Sequence, residues 1–271
     1  MRHSLALFLL LTLTACNIFE PLPTGSAPTK QMPVEEIYSQ AKEELNDENY
    51  DSAIKLYETL QSRYPYGRYA QQALLEMAYA YYRQGEAESA VSSAERFIKQ
   101  YPNNPHVDYA YYVKGLANFR GEISILQSAG GQDPTERDPK AAQDSFAAFK
   151  DLVTRFPNSK YAPDSRLRMQ YLINALAKYE LHVAGYYLRR GAHIAAVNRA
   201  QGILTQYPNS PTTRDALKIL VQAYDAMGMT DLRDDARRVL AKNSGAPASP
   251  AGDETPAGGS NSGKSWWQFW K

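Results

Sequence analysis

From residue 33 to residue 243 apolar side chains recur at spacings of one, three and four, as in Ala53, Ile54, Tyr57 and Leu60. That spacing puts them on one face of a helix of about 3.6 residues per turn, so it predicts amphipathic helices rather than strands. The pattern is cut four times by an aromatic residue and a proline. These are Arg63-Tyr64-Pro65, Gln100-Tyr101-Pro102-Asn103, Arg155-Phe156-Pro157-Asn158-Ser159 and Gln206-Tyr207-Pro208-Asn209-Ser210. Proline has no N–H and its ring clashes with the preceding turn, so each motif stops a helix. One stop recurring along a helical chain predicts internal repeats.

Placing each proline at the end of a tetratricopeptide-type unit puts Ala53 and Tyr57, or Ala90 and Ala94, at the packing positions of the second helix of a pair. Leu74, Ala78 and Tyr81 then fall on first-helix packing positions. Alanine at such crossings lets helices approach closely, while the aromatic fills the gap between units. The proline spacings are 37, 55 and 51, against about 34 residues for the basic unit. Units three and four are therefore expanded. The first excess is expected in a loop from Gly121 to Pro139, containing Gly130-Gly131 and Asp138-Pro139, and the second in lengthened helices around Ala175 to Arg190. A fifth unit, Thr212 to Asn243, keeps Tyr224 and Gly228, lacks the proline stop and caps the array. The predicted fold is all-α: a solenoid of five tetratricopeptide-type units over residues 33–243, with irregular insertions in units three and four.

The flanks read differently. Arg2 and His3 precede an apolar run from Leu5 to Leu11 and then Thr12-Leu13-Thr14-Ala15-Cys16. This run is too short to span a bilayer, which takes roughly 20 residues, and it fits an export signal over residues 1–15. Leu13-Thr14-Ala15-Cys16 resembles the bacterial lipobox. Cys16 is the only cysteine, so no internal disulfide can form, and lipid attachment accounts for it better than a spare thiol. By resemblance to processed lipoproteins, Cys16 carries an N-acyl chain and an S-diacylglycerol, each buried methylene adding about 0.8 kcal/mol of membrane affinity. Asn17, where an aspartate would signal inner-membrane retention, favours the outer membrane. Residues 16–32 hold Pro21, Pro23 and Pro28 and form a tether reaching up to roughly 50 Å. Residues 244–271 begin with a Gly/Ala/Ser/Pro-rich run that cannot bury a core and is expected to be disordered. They end in Trp266-Trp267-Gln268-Phe269-Trp270-Lys271, for which membrane-interface binding, fold-back into a groove and plain solvation all stay open.

Charge and composition narrow the chemistry. The leader removes Arg2 and no acid, leaving 29 basic against 29 acidic residues, so no basic face is expected for nucleic acid. The mature histidines His106, His182 and His193 show no metal-ligand spacing, and there is no phosphate loop or G-x-S-x-G elbow. Acid pairs such as Glu35-Glu36 and Glu43-Glu44 read as solvated helix faces. We therefore expect no enzyme, no metal and no cofactor beyond the lipid.

Tyrosine is abundant, at 20 residues, and clusters early, at Tyr64, Tyr66, Tyr69, Tyr79, Tyr81, Tyr82, Tyr109, Tyr111 and Tyr112. Most of these pack repeats together. Counting from Ala78 and Gly115 as equivalent small positions, however, places Gln72, Tyr79, Tyr82 and Arg83 of unit two, and Tyr109, Tyr112, Phe119 and Arg120 of unit three, on the concave side. Rigid rings with a few guanidinium groups suit an extended, aromatic-containing peptide.

The stretch LNDENYDSAIKLYETLQSRYPYGRYAQQALLEMAYAYYRQ, from Leu45 to Gln84, closely resembles the BamD (ComL) family of outer-membrane assembly lipoproteins. Further agreement lies at Arg137-Asp138-Pro139, Leu176-Ala177-Lys178-Tyr179-Glu180, Ala184-Gly185-Tyr186-Tyr187, Arg190-Gly191-Ala192, Val197-Asn198-Arg199 and Thr213-Arg214-Asp215-Ala216-Leu217. The resemblance implies a lipid-anchored subunit of the β-barrel assembly machine at the periplasmic face of the outer membrane. Its implied partners are the periplasmic domains of the core assembly subunit, other assembly lipoproteins and unfolded outer-membrane β-barrel proteins. It places client binding around Tyr64 and Gly67, where glycine permits a turn, together with the concave residues. It also makes Arg199 the arginine that pairs with an acid of the core subunit. The alternative is an envelope scaffold for peptidoglycan synthesis or secretion without client recognition. The Trp-rich tail is expected to be a departure from the family, whose members are expected to end soon after the fifth unit.

Overall fold

The computed structural model describes residues 32–128 and 139–243, the side chains of 120–128 excepted. Among the described residues there are ten helices and no strand. They are α1 (Val34–Asn46), α2 (Tyr50–Arg63), α3 (Arg68–Gln84), α4 (Ala87–Gln100), α5 (Val107–Ser128), α6 (Lys140–Arg155), α7 (Ala162–Arg189), α8 (His193–Gln206), α9 (Thr213–Ala226) and α10 (Thr230–Asn243). Each helix packs on the next, giving five antiparallel pairs. Cys16, most of the tether and the tail lie outside the described residues.

The four aromatic–proline motifs adopt one local geometry. Tyr64, Tyr101, Phe156 and Tyr207 are each the first residue past a helix, at φ between −131° and −128°, the extended backbone that a following proline imposes. Each still donates its N–H to the carbonyl four residues back, Leu60, Phe97, Leu152 and Ile203, at 2.8–2.9 Å. The turns inside four of the pairs share a second geometry. Glu48, Gly85, Gly191 and Gly228 are left-handed. The next residue in each turn, Asn49, Glu86, Ala192 or Met229, donates back to the last helical turn at 2.9–3.0 Å. This is the Schellman closure that satisfies orphan carbonyls at a helix end.

Ala53, Tyr57, Ala90, Ala94, Leu74 and Ala78 are all buried, as the repeat register requires. At Gly115 of α5 the Phe149 ring of α6 occupies the space a side chain would need, and Ser145 donates to the Gly115 carbonyl at 2.9 Å. Odd-numbered helices also pack on one another, α1 on α3, α3 on α5 and α7 on α9, so they form the inner side of the array.

The two insertions are built differently. The second is helical as expected, with α7 running 28 residues. The first is only partly a loop, because α5 continues through Gly121 to Ser128. One interior glycine costs a helix about 1 kcal/mol, too little to stop one that runs on into Glu122-Ile123-Ser124-Ile125-Leu126-Gln127. No helix among the described residues is long and apolar enough to cross a membrane.

Candidate functional site

The inner side of units two to four carries a row of aromatic side chains from α3, α5 and the start of α7. Tyr79 and Tyr82 lie on one face of α3 with ring centroids 6.4 Å apart, and Tyr109 and Tyr112 repeat that spacing on α5 at 6.5 Å. Tyr79 and Tyr82 pack on the same core cluster as Tyr109. Tyr161, just before α7, stacks on Tyr112 at 4.7 Å and tilts against Tyr109 at 5.2 Å. Phe119 continues the row two turns on, edge-to-face with Phe149 and Tyr171. Tyr109 and Phe119 are buried as the base of the row, whereas Tyr79, Tyr82 and Tyr112 are half-buried and form its accessible edge.

Polar groups fix these rings. Tyr112 donates its hydroxyl to Asp164 at 2.8 Å, and Asp164 also pairs with Arg168 at 2.6 Å. Arg168 is buried and its guanidinium lies 4.8 Å from the centre of the Phe119 ring, a cation–π contact between α7 and α5. Burial and the Asp164 charge push the Tyr112 phenol up, and burial followed by Asp108 does the same for Tyr161. Both stay protonated donors at neutral pH. Sequence reasoning missed Tyr161, Asp164 and Arg168, although the i,i+4 spacing of Asp164 and Arg168 was a visible signal.

Arg83 closes the amino-terminal end of the row. It donates to the Tyr79 oxygen at 2.7 Å and to Glu48 at 2.9 Å, and its guanidinium lies over the Tyr50 and Tyr79 rings. Gln72 sits half-buried on α3, two turns before Tyr79. The side chain of Arg120 lies outside the described residues.

The turn between α2 and α3 differs from the other three between units. Those turns have Asn104, Ser159 and Ser210 donating to the carbonyl of the stop aromatic at 3.0 Å. Here Tyr64-Pro65-Tyr66-Gly67 has no Asn or Ser, and Gly67 at φ +95° starts α3 directly. Tyr64 donates its hydroxyl to the Met32 carbonyl at 3.2 Å, fastening the segment before α1. Tyr66 projects at the tip, 87% exposed. Its place in the tyrosine cluster gave no sign of that exposure.

Two more polar pairs matter. Glu76, a lone acid in the apolar run Leu74-Leu75-Glu76-Met77-Ala78, is buried and accepts the hydroxyls of Tyr38 and Tyr57, with Lys42 at 3.7 Å. Burial raises its carboxyl group's pKa. In the fourth unit Arg199 donates to both carboxylate oxygens of Glu180, at 3.1 and 3.0 Å, while remaining 45% exposed. It therefore faces solvent beside an acid of its own chain.

The outer membrane lipoprotein family YfiO matches residues 30–239, a stretch that contains all ten helices except the last turn of α10. The chain belongs to that family. It is 42% identical to "Outer membrane protein assembly factor BamD" of Neisseria meningitidis serogroup A, over 96% of both chains. It is 41% identical to the protein of that name from Xylella fastidiosa strain Temecula1, over 78% of this chain and 72% of that one. It is 36% identical to the one from Vibrio cholerae, over 78% and 88%. A crystal structure of MamA protein is similar at 17% identity and a TM-score of 0.38, covering 77% of this chain and 88% of that one. The neisserial match leaves fewer residues uncovered than the 28 of 244–271, so part of that segment is aligned with this relative.

Proposed function

We propose that this protein is a non-catalytic, lipid-anchored subunit of the machinery that assembles β-barrel proteins in the outer membrane. Acylated Cys16 holds it at the periplasmic face, residues 16–32 act as the tether, and residues 33–243 form the working body. The observation that carries this reading is the match to assembly factors over 96% of both chains, which spans both insertions as well as the repeats. The aromatic row supports a receptor role. An unfolded barrel strand is extended and rich in aromatic residues, and Tyr79, Tyr82 and Tyr112 offer ring faces at low entropic cost. The exposed Tyr66 and the turn at Tyr64 and Gly67 extend that surface at one end.

At the other end, Arg199 docks the core assembly subunit by exchanging Glu180 for an acid of that partner. Other assembly lipoproteins share the complex, and neither nucleic acid nor a nucleotide cofactor takes part. Depletion tests the function as a whole, with loss of outer-membrane barrels and an intact cell wall as the expected result. Wall defects with normal barrel levels would instead select an envelope scaffold. For the receptor role, a peptide copied from the last strand of a barrel is expected to cross-link to photoprobes at Tyr66, Tyr79 or Tyr82. Labelling confined to α8–α10 would overturn that placement.

A further inference from the structure

The last helix departs from its counterparts in a way that the end of an array does not explain. The left-handed residues Glu48, Gly85, Gly191 and Gly228 set a common register for α2, α4, α8 and α10. Five and nine residues past them, the first three helices bury Ala53 and Tyr57, Ala90 and Ala94, and Ala196 and Ala200. In α10 these positions are Arg233 and Arg237, which pair with Asp225 and Asp234 at 2.8–3.5 Å. The face that would receive a sixth unit is thus closed by charge.

A different face of α10 is apolar. Met229, Leu232 and Val239 are 45%, 47% and 46% exposed. The equivalent residues are Asn49, Ser52 and Thr59 in α2, Glu86, Ser89 and Arg96 in α4, and Ala192, Ala195 and Gly202 in α8. Spacings of three and seven place the α10 trio on one side of the helix. Nowhere else among these four helices is that side lined by large apolar groups, and it lies off the repeat-to-repeat contact.

We propose that the tail segment Trp266–Trp270 docks on this stripe, an inference that goes beyond the assembly role. Four aromatic residues in five make a cluster that is costly to leave in water. The 22 residues from 244 to 265 are rich in Gly, Ser and Ala. A chain of that composition has an r.m.s. span of roughly 26 Å. From Asn243 back to Leu232 along the helix is only about 17 Å. The linker therefore reaches the stripe without being stretched, and at a matched length it presents the cluster at an effective concentration of about a millimolar. Even a shallow contact is then occupied most of the time. Docking covers the side of α10 whose large apolar side chains have no counterpart in α2, α4 or α8.

The chain reports on its own tail, because all three tryptophans, Trp266, Trp267 and Trp270, lie there. In the full mature chain carrying Cys16→Ser, selectively excited indole emission is expected to lie to the blue of a synthetic 244–271 peptide, with several-fold weaker iodide quenching. The double variant Leu232→Ser/Val239→Ser, whose side chains are half exposed, is expected to keep its helicity and to return both readings to those of the peptide. A Tyr79→Ala/Tyr82→Ala control is expected to leave them unchanged. The proposal is overturned if the full chain already emits like the peptide or if the blue shift survives the α10 double variant. It is overturned equally if the groove control abolishes the shift, or if the shift appears only on adding phosphatidylethanolamine–phosphatidylglycerol vesicles. None of these readings depends on barrel assembly, so the reading of overall function stands or falls separately.

Discussion

The Tyr38 hydroxyl of α1 donates to the Glu76 carboxylate of α3 at 2.9 Å, across 38 residues of sequence. Tyr57 of α2 donates to the second carboxylate oxygen, so one buried acid ties three helices of the first two units. Its replacement tests how much of their junction is polar. Glu76→Leu strands two phenol hydroxyls in the interior, each costing about 1–3 kcal/mol, and is expected to lower urea stability by about 2–6 kcal/mol.

The same acid has a pH signature. Its folded-state pKa is raised by burial. The stabilisation it contributes is therefore fully present below the ordinary carboxylate value of about 4.3 and is lost as pH rises through the raised folded value. Glu76→Gln removes that titration while keeping an acceptor for a tyrosine. Measured from pH 4 upward, the unfolding free energy of the Glu76 chain is expected to fall relative to that of the Glu76→Gln chain as pH rises. A difference that stays flat across the range contradicts a raised pKa.

Gly115→Ala tests the α5–α6 crossing. An added Cβ would lie 2.5 Å from the Phe149 ring. Overpacking of this kind costs about 1–3 kcal/mol, whereas the exchange in an unhindered helix gains about 1 kcal/mol. A net loss in thermal or urea unfolding therefore reports the clash, and adding Phe149→Leu is expected to recover part of it. A stabilised Gly115→Ala chain means the helices do not meet there.

At the turns inside pairs, backbone conformation and side-chain packing can be separated. Gly85 sits at φ +89° with nothing within 4 Å of an added Cβ, so Gly85→Ala is expected to cost about 1 kcal/mol through conformation alone. Glu48 holds the same conformation at φ +62° without being glycine. Glu48→Gly relieves that strain and gives up only a surface pair with Arg83, so no net loss is expected. Equal losses in the two variants would show that side chains, not φ, decide these turns.

Arg199→Ala and Glu180→Ala break the same exposed ion pair and are each expected to cost at most about 1 kcal/mol of stability. Their effects on assembly are expected to differ. Loss of a desolvated, hydrogen-bonded charge at an interface costs about 2–5 kcal/mol, so Arg199→Ala is expected to weaken capture of the core subunit by about 30-fold or more. Glu180→Ala leaves the arginine able to dock. Equal retention of both variants in pull-downs of the assembly complex removes Arg199 from the docking surface.

What the sequence determined by itself was local. Proline's missing N–H fixed the helix stops at Tyr64, Tyr101, Phe156 and Tyr207. Spacing alone also put Tyr79, Tyr82, Tyr109 and Tyr112 on first helices, two faces of the one row seen in the structure. The register needed no partner information, because helical period and chain stops depend on near neighbours. Only the tertiary structure decided which of those rings lie under others, that Asp164 and Arg168 brace them from 52 and 49 residues beyond Tyr112 and Phe119, and that Glu180 sits against Arg199. It also decided that Glu76 is an interior acid. A periodic pattern says that a residue faces inward, but whether a charge there is tolerated depends on donors such as Tyr38 and Tyr57, which only packing brings within reach.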